Sequence, residues 1–167
     1  MRKVTLSALI LVLFAAYTWS LAQSRRTPPQ APQKKTGHVV LTPDDLKWGP
    51  APPGLPPGAQ LAVLRGDPSK AGSSFHMRVK FPEGYKVPPH WHPTDENVVV
   101  IQGTMMIGAG DTFDESNMKV MPAGSYGLMP MRMHHFAMAK EESLVDIYGT
   151  GPFAINYVNP ADDPRKK

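Results

Sequence analysis

The chain has no cysteine, so disulfides and thiolate metal ligands are excluded, and any transition-metal site must be built from histidine and carboxylate. No amphipathic helical stretch of useful length is visible; the nearest candidate is a single N-capped turn at Pro43-Asp44-Asp45-Leu46, ahead of Trp48. No basic stripe is interleaved with aromatic side chains, which removes the usual footprint of a nucleic-acid partner. The sequence pI of 9.4 does not restore it. If an N-terminal leader is lost with Arg2 and Lys3, the 18 basic side chains fall to 16 against 14 acidic ones, a net charge of +2. Lys34-Lys35 and Arg165-Lys166-Lys167 read as solvated termini.

The one long apolar run lies at the start, where Met1-Arg2-Lys3 precedes Val4 to Ala16 and Ser20-Leu21-Ala22. A basic start, an apolar middle and small residues before Gln23 are the layout of a secretory signal peptide, expected over residues 1–22. An uncleaved membrane anchor is the alternative, since Val4 to Ala22 is just long enough to span a bilayer. Cleavage would give a periplasmic or secreted protein without stable membrane association. Gln23 to Gly37 is rich in Pro, Gln and Lys, with almost no apolar side chains to bury, and is expected to be a disordered tether. A single domain is expected over residues 38–167.

That region consists of short apolar runs punctuated by Gly and Pro: Val39–Leu41, Gln60–Leu64, Phe75–Phe81, Val98–Ile101, Thr104–Ile107, Lys119–Met121, Tyr126–Met129, His135–Ala139, Leu144–Tyr148 and Phe153–Val158. Short strands at such close spacing predict an all-β sandwich or barrel. Strict alternation in Phe75-His76-Met77-Arg78-Val79-Lys80-Phe81 places His76 on the outer face, so it is read as a surface histidine. His38, beside the tether, is read the same way. Val98-Val99-Val100-Ile101 suits a strand buried on both faces. Asp111 to Asn117 is acidic but lacks the glycine and terminal glutamate of a calcium loop, and a hairpin loop is expected.

His90-Trp91-His92 carries the chemistry. On a strand, residues i and i+2 share a face, so His90 and His92 aim two imidazoles into one cavity while Trp91 points away. Pro93-Thr94-Asp95 reads as a turn, with Thr94 and Asp95 expected to bond locally through their side chains, after which Glu96 can return to the same point. His135 would have to arrive from another strand, as a barrel interior allows. An isolated His-X-His is most often a surface pair, so the signal lies in the surroundings. These read Gly84, five residues, His90, one residue, His92, three residues, Glu96, six residues, Gly103. Further on come Gly124, five residues, Pro130, and then His135.

The first pattern resembles the first signature motif of the cupins in full. The second resembles their second motif, with Arg132 where cupins carry a glycine and Ala139 where they carry an asparagine. The ligand position matches at His135, and this count selects it over His134. The likeness extends over roughly Leu41 to Arg165, to a group of small exported one-domain cupins of mostly unassigned function. It implies a jelly-roll β-barrel, a metal held by His90, His92, Glu96 and His135, and a homodimer. Arg132 must either accept a left-handed backbone or use a different turn.

Imidazoles with one carboxylate suit Fe, Mn, Ni, Cu or Zn rather than calcium. Four ligands leave one or two positions open, as catalysis needs. One expectation is a metal-dependent dioxygenase-type oxidoreductase acting on a small organic substrate, with Glu96 as a catalytic proton acceptor as well as a ligand. Met129, Met131 and Met106 would then line an apolar substrate pocket, although methionines in such places more often simply fill a core. The alternative is a non-catalytic metal- or ligand-binding module. Either way the expected partner is a small molecule.

Overall fold

Alternating apolar and polar side chains force one face of an extended strand toward a core and the other away from it. The computed structural model describes Gly37–Lys167, and its β domain occupies Val40–Lys167. The expected leader (1–22) and nearly all of the expected tether (23–37) lie outside the described residues. Eleven strands follow in order: β1 (Gly49–Pro50), β2 (Gln60–Arg65), β3 (Ser74–Phe81), β4 (Lys86–Trp91), β5 (Glu96–Gln102), β6 (Thr104–Ala109), β7 (Lys119–Pro122), β8 (Tyr126–Met129), β9 (His135–Ala139), β10 (Ser143–Thr150) and β11 (Asn156–Tyr157). Among the described residues, helix is confined to single 3-10 turns, and no helix is long and apolar enough to cross a membrane.

The strands form two antiparallel sheets, one in the order β1-β2-β3-β10-β5-β8 and the other β11-β4-β9-β6-β7. This is the all-β architecture expected from the strand pattern and the jelly roll that the resemblance to cupins implies. Phe75, Met77, Val79 and Phe81 of β3, Val98 and Val100 of β5, and Val145 and Ile147 of β10 belong to one buried apolar cluster with Val87 and Met105 of the second sheet. At about 25 cal/mol per Å² of apolar area removed from water, this core is the main source of stability in a chain without disulfides.

Three runs behave differently from expectation. Val39–Leu41 forms no strand and its side chains are exposed, because the chain turns immediately into a 3-10 turn, Pro43–Asp45, where the Asp45 carboxylate accepts hydrogen bonds from the Thr42 backbone N–H and hydroxyl. Val98–Ile101 is not buried on both faces: Val98 and Val100 are inside, whereas Ile101 is 40% exposed. The reason is that antiparallel sheets can leave one face to solvent. Phe153–Val158 pairs with β4 only at Asn156 and Tyr157. Phe153, Ala154 and Ile155 serve the site described next, and the Val158 N–H donates to the Pro89 carbonyl of β4. The acidic segment Asp111–Asn117 does connect two antiparallel neighbours, β6 and β7, as a hairpin loop.

Candidate metal centre

Pro88 and Pro89 cannot donate to a ladder, and the pairing of β4 with β9 slips there, from Val87 opposite Ala137 to His90 opposite His135. One extra residue on β4 is a β-bulge, and a bulge shifts the phase of side-chain alternation by one. Val87 and His90, an odd number of positions apart, therefore both face the interior cavity. His92 follows two residues later on the same face, just beyond the strand end. The bulge also makes His90 and His135 cross-strand partners, with ring centroids 4.2 Å apart.

Each of the three rings is oriented by a backbone carbonyl. His90 Nδ1 lies 2.8 Å from the Pro88 oxygen, His92 Nδ1 2.9 Å from that of Ala154, and His135 Nδ1 3.0 Å from that of Met133. A carbonyl can only accept, so Nδ1 donates in each ring and Nε2 of the neutral imidazole carries the free lone pair. One ligand nitrogen from each histidine falls within 4.8 Å of the others, and all three residues are buried. Glu96, the first residue of β5, is also buried and approaches two of them: its Oε2 is 3.4 Å from His92 Nε2 and 3.2 Å from His135 Nε2.

Lone pairs of neutral rings facing a carboxylate are acceptors facing an acceptor. Only a proton or a cation among them makes the arrangement favourable. His92 Nε2 is fully buried and has no hydrogen-bond partner, which fits a nitrogen built to bind a metal. Burial, together with the nearby His135 and His92, lowers the pKa of His90 to about 3, so its lone pair stays available at neutral pH. Burial alone would raise the Glu96 pKa; the attraction of His92 and His135 in their protonated forms instead holds it well below the usual carboxylate range. A divalent ion would have the same effect on the carboxylate. The donor set is therefore one that could hold a transition metal.

The path to His135 shows how the imperfect second motif is accommodated. Arg132 takes the left-handed backbone, with φ of 62°, in place of a different turn. Its N–H donates to the His92 carbonyl at 2.8 Å, and the neighbouring Met131 N–H donates to Asp95 Oδ1 at 2.7 Å. The two histidine-bearing segments are thus tied together just outside the ring cluster. Asp95 was expected to bond locally within its own turn. Its actual partner is 36 positions away.

Phe153 is the other residue that strand patterns did not reveal. Its ring stacks on His92 at 4.2 Å between centroids and 15° between planes, and the adjacent Ala154 supplies the carbonyl that orients the same imidazole. His134 points away and pairs with Asp111 at 2.6 Å. His76 lies on the outer face near Asp146, and His38 is exposed. Of the expected pocket methionines only Met129 lines the cavity. Met131 is 56% exposed, and Met106 sits on the other face of β6, where the cavity is lined by Met105 instead. Apart from the three histidines and Glu96, the cavity wall is wholly apolar.

Residues 36–154 match the ChrR cupin-like domain family, and the chain belongs to this family of small cupin-superfamily domains. No curated protein matches it. Among solved structures it is similar to the polyketide cyclase RemF from Streptomyces resistomycificus, with a TM-score of 0.63 and 16% identity over 78% of this chain and 92% of that one. It is also similar to an acetylacetone dioxygenase from Acinetobacter johnsonii, with a TM-score of 0.58 and 16% identity over 82% and 87% of the two chains. KdgF from Halomonas sp. gives a TM-score of 0.52 and 21% identity over 70% and 96%. These likenesses establish the fold.

Proposed function

We propose that the protein holds one divalent transition metal, from among Fe, Mn, Ni, Cu and Zn, on His90, His92, His135 and Glu96, and acts as a dioxygenase-type oxidoreductase on a small organic molecule. The observation that carries this reading is the convergence of three carbonyl-oriented imidazoles, two of them against a buried carboxylate, within an otherwise apolar wall. Held by these four residues, a metal of this class would supply Lewis-acid activation of a substrate oxygen and of dioxygen. Glu96, ionised in the resting site, would accept a proton from the substrate. The apolar wall excludes water that would quench a reactive carbanion or enolate. Both atoms of dioxygen end in the product, so no further reductant is required. The same fold carries a dioxygenase and a cyclase, so the chemistry rests on the site itself.

Metal analysis of the purified protein, followed by oxygen uptake with enediols, flavonoids and small organic acids, tests the proposal. Glu96→Gln is expected to keep its metal and lose oxygen uptake. Metal retained with no uptake on any substrate would favour the non-catalytic binding module, since the wall carries no acid, base or nucleophile beyond the four residues. We also propose that residues 1–22 direct export to the periplasm or beyond and that the barrel works as a homodimer. A mature N-terminus at Gln23 and twice the chain mass by light scattering are the expected results.

A further inference from the structure

The chamber around the candidate metal centre has a volume of about 60 Å³. A cavity of about 150 Å³ is what an engineered protein core needs to hold benzene, so this chamber takes a head group of a few atoms and no aromatic ring. A second space adjoins it. The chain crosses from one sheet to the other at a corner, where the Ser125 N–H donates to the Pro122 carbonyl, and β7 and β8 leave that corner in different sheets without pairing. Between these two sheet edges lies a cleft of about 430 Å³, and it shares Ile107 and Met129 with the inner chamber as a common wall.

Resting on the proposed metal function, we infer that this cleft holds the body of the substrate, and that the substrate is a neutral molecule with a small oxygen-bearing head and an apolar, ring-sized body. Three observations support this. The cleft is lined by Met121, Met129 and Met133, unbranched thioethers that adapt to irregular apolar shapes, and Lys119 is its one charged side chain. Met129 stands directly opposite Glu96 in the β5–β8 register, so the partition between the two spaces lies beside the proposed proton acceptor. Finally, the strand residue between the two sulfurs is Gly127, whose backbone does not need glycine for its φ. A Cβ there would lie 3.2 Å from Met121 Cε and 3.8 Å from Met129 Sδ. The missing side chain keeps the way past Met129 open.

Two measurements test this. In metal-free protein carrying [13C-methyl]methionine, toluene is expected to shift the Met121, Met129 and Met133 methyl resonances. Shifts confined to Met77 and Met105, or no shifts at all, would overturn the inference. In cobalt(II)-loaded protein, acetohydroxamic and benzohydroxamic acids offer the same head with a methyl or a phenyl body, and visible absorption reads their affinities. Gly127→Val is expected to weaken the phenyl compound by about tenfold, the worth of burying part of a ring, and to leave the methyl compound within about twofold. Equal effects on both acids, or none, would place the body elsewhere. Failure to load cobalt would count against the metal reading, while the toluene experiment would still decide the cleft.

Discussion

Glu96 and Asp146 are both 6% exposed and belong to adjacent strands of one sheet, yet they are buried in opposite ways. Asp146 lies on the outer side, where the Arg78 guanidinium meets it with two bonds, Nε to Oδ1 at 2.6 Å and Nη2 to Oδ2 at 2.8 Å, and where His76 stands 3.2 Å away. Its charge is matched by a permanent cation in fork geometry, so the cluster closes on itself. Glu96 faces inward, toward imidazoles whose free nitrogens are acceptors when neutral. One carboxylate has its cation in the sequence, and the other lies where it could receive one. A buried charge by its mere presence therefore says little about function; what matters is whether its partners already satisfy it.

The sharpest way to break this contrast is to remove a candidate ligand. His135→Ala is expected to lower metal affinity by more than about 100-fold, beyond the loss usual for an outer-shell residue, as read by metal analysis after dialysis. In the wild-type protein, stripping a tightly held metal with a chelator is expected to lower Tm on the order of 10 °C. Asp146→Asn should do the reverse. It is expected to cost roughly 2–3 kcal/mol in denaturant unfolding, because Arg78 loses its partner, while metal content stays unchanged. Metal loss in Asp146→Asn to the extent seen for His135→Ala would erase the distinction between the two clusters.

A smaller effect concerns acid. His90 is neutral in the folded metal-free protein down to about pH 3, whereas an unfolded histidine binds its proton near pH 6.5. Below that value the unfolded state holds the extra proton, so stability is present above about 6.5 and declines as pH falls toward 3, by at most about 1.4 kcal/mol per pH unit. His90→Phe should remove this part of the slope in urea unfolding measured at pH 7 and pH 4.5. The smallest effect is expected at Arg132, where Arg132→Gly relieves the left-handed backbone and should raise stability by about 1 kcal/mol without altering metal content.

Much of the first motif was legible because its information is local. His90 and His92 stand two apart, and period-two geometry needs no knowledge of the rest of the chain. The prolines that bulge β4 were equally visible, but their effect on phase shows only against β9, which lies some 45 positions away in sequence. Asp95 gave a weak signal, as a turn residue with a side chain able to bond, and the wrong partner was expected because the turn at Met131 arrives from outside its neighbourhood. Phe153 and Ala154 gave none, since a short apolar run reads the same whether it pairs in a sheet or covers a histidine.

The amino-acid order by itself determined that this domain is all-β, that it lacks thiolate ligands, and that His90 and His92 share one face of a strand, whereas Glu96 and His135 joined them only through the resemblance to cupins. The first three follow from side-chain period, composition and short-range spacing, each a property of neighbouring residues. Tertiary structure alone decided which nitrogen each ring presents, which methionines face the cavity, and how a small inner chamber adjoins a larger cleft. Those outcomes depend on carbonyls, strand edges and ring stacks brought together from distant segments, and only closure of the two sheets sets the distances between them.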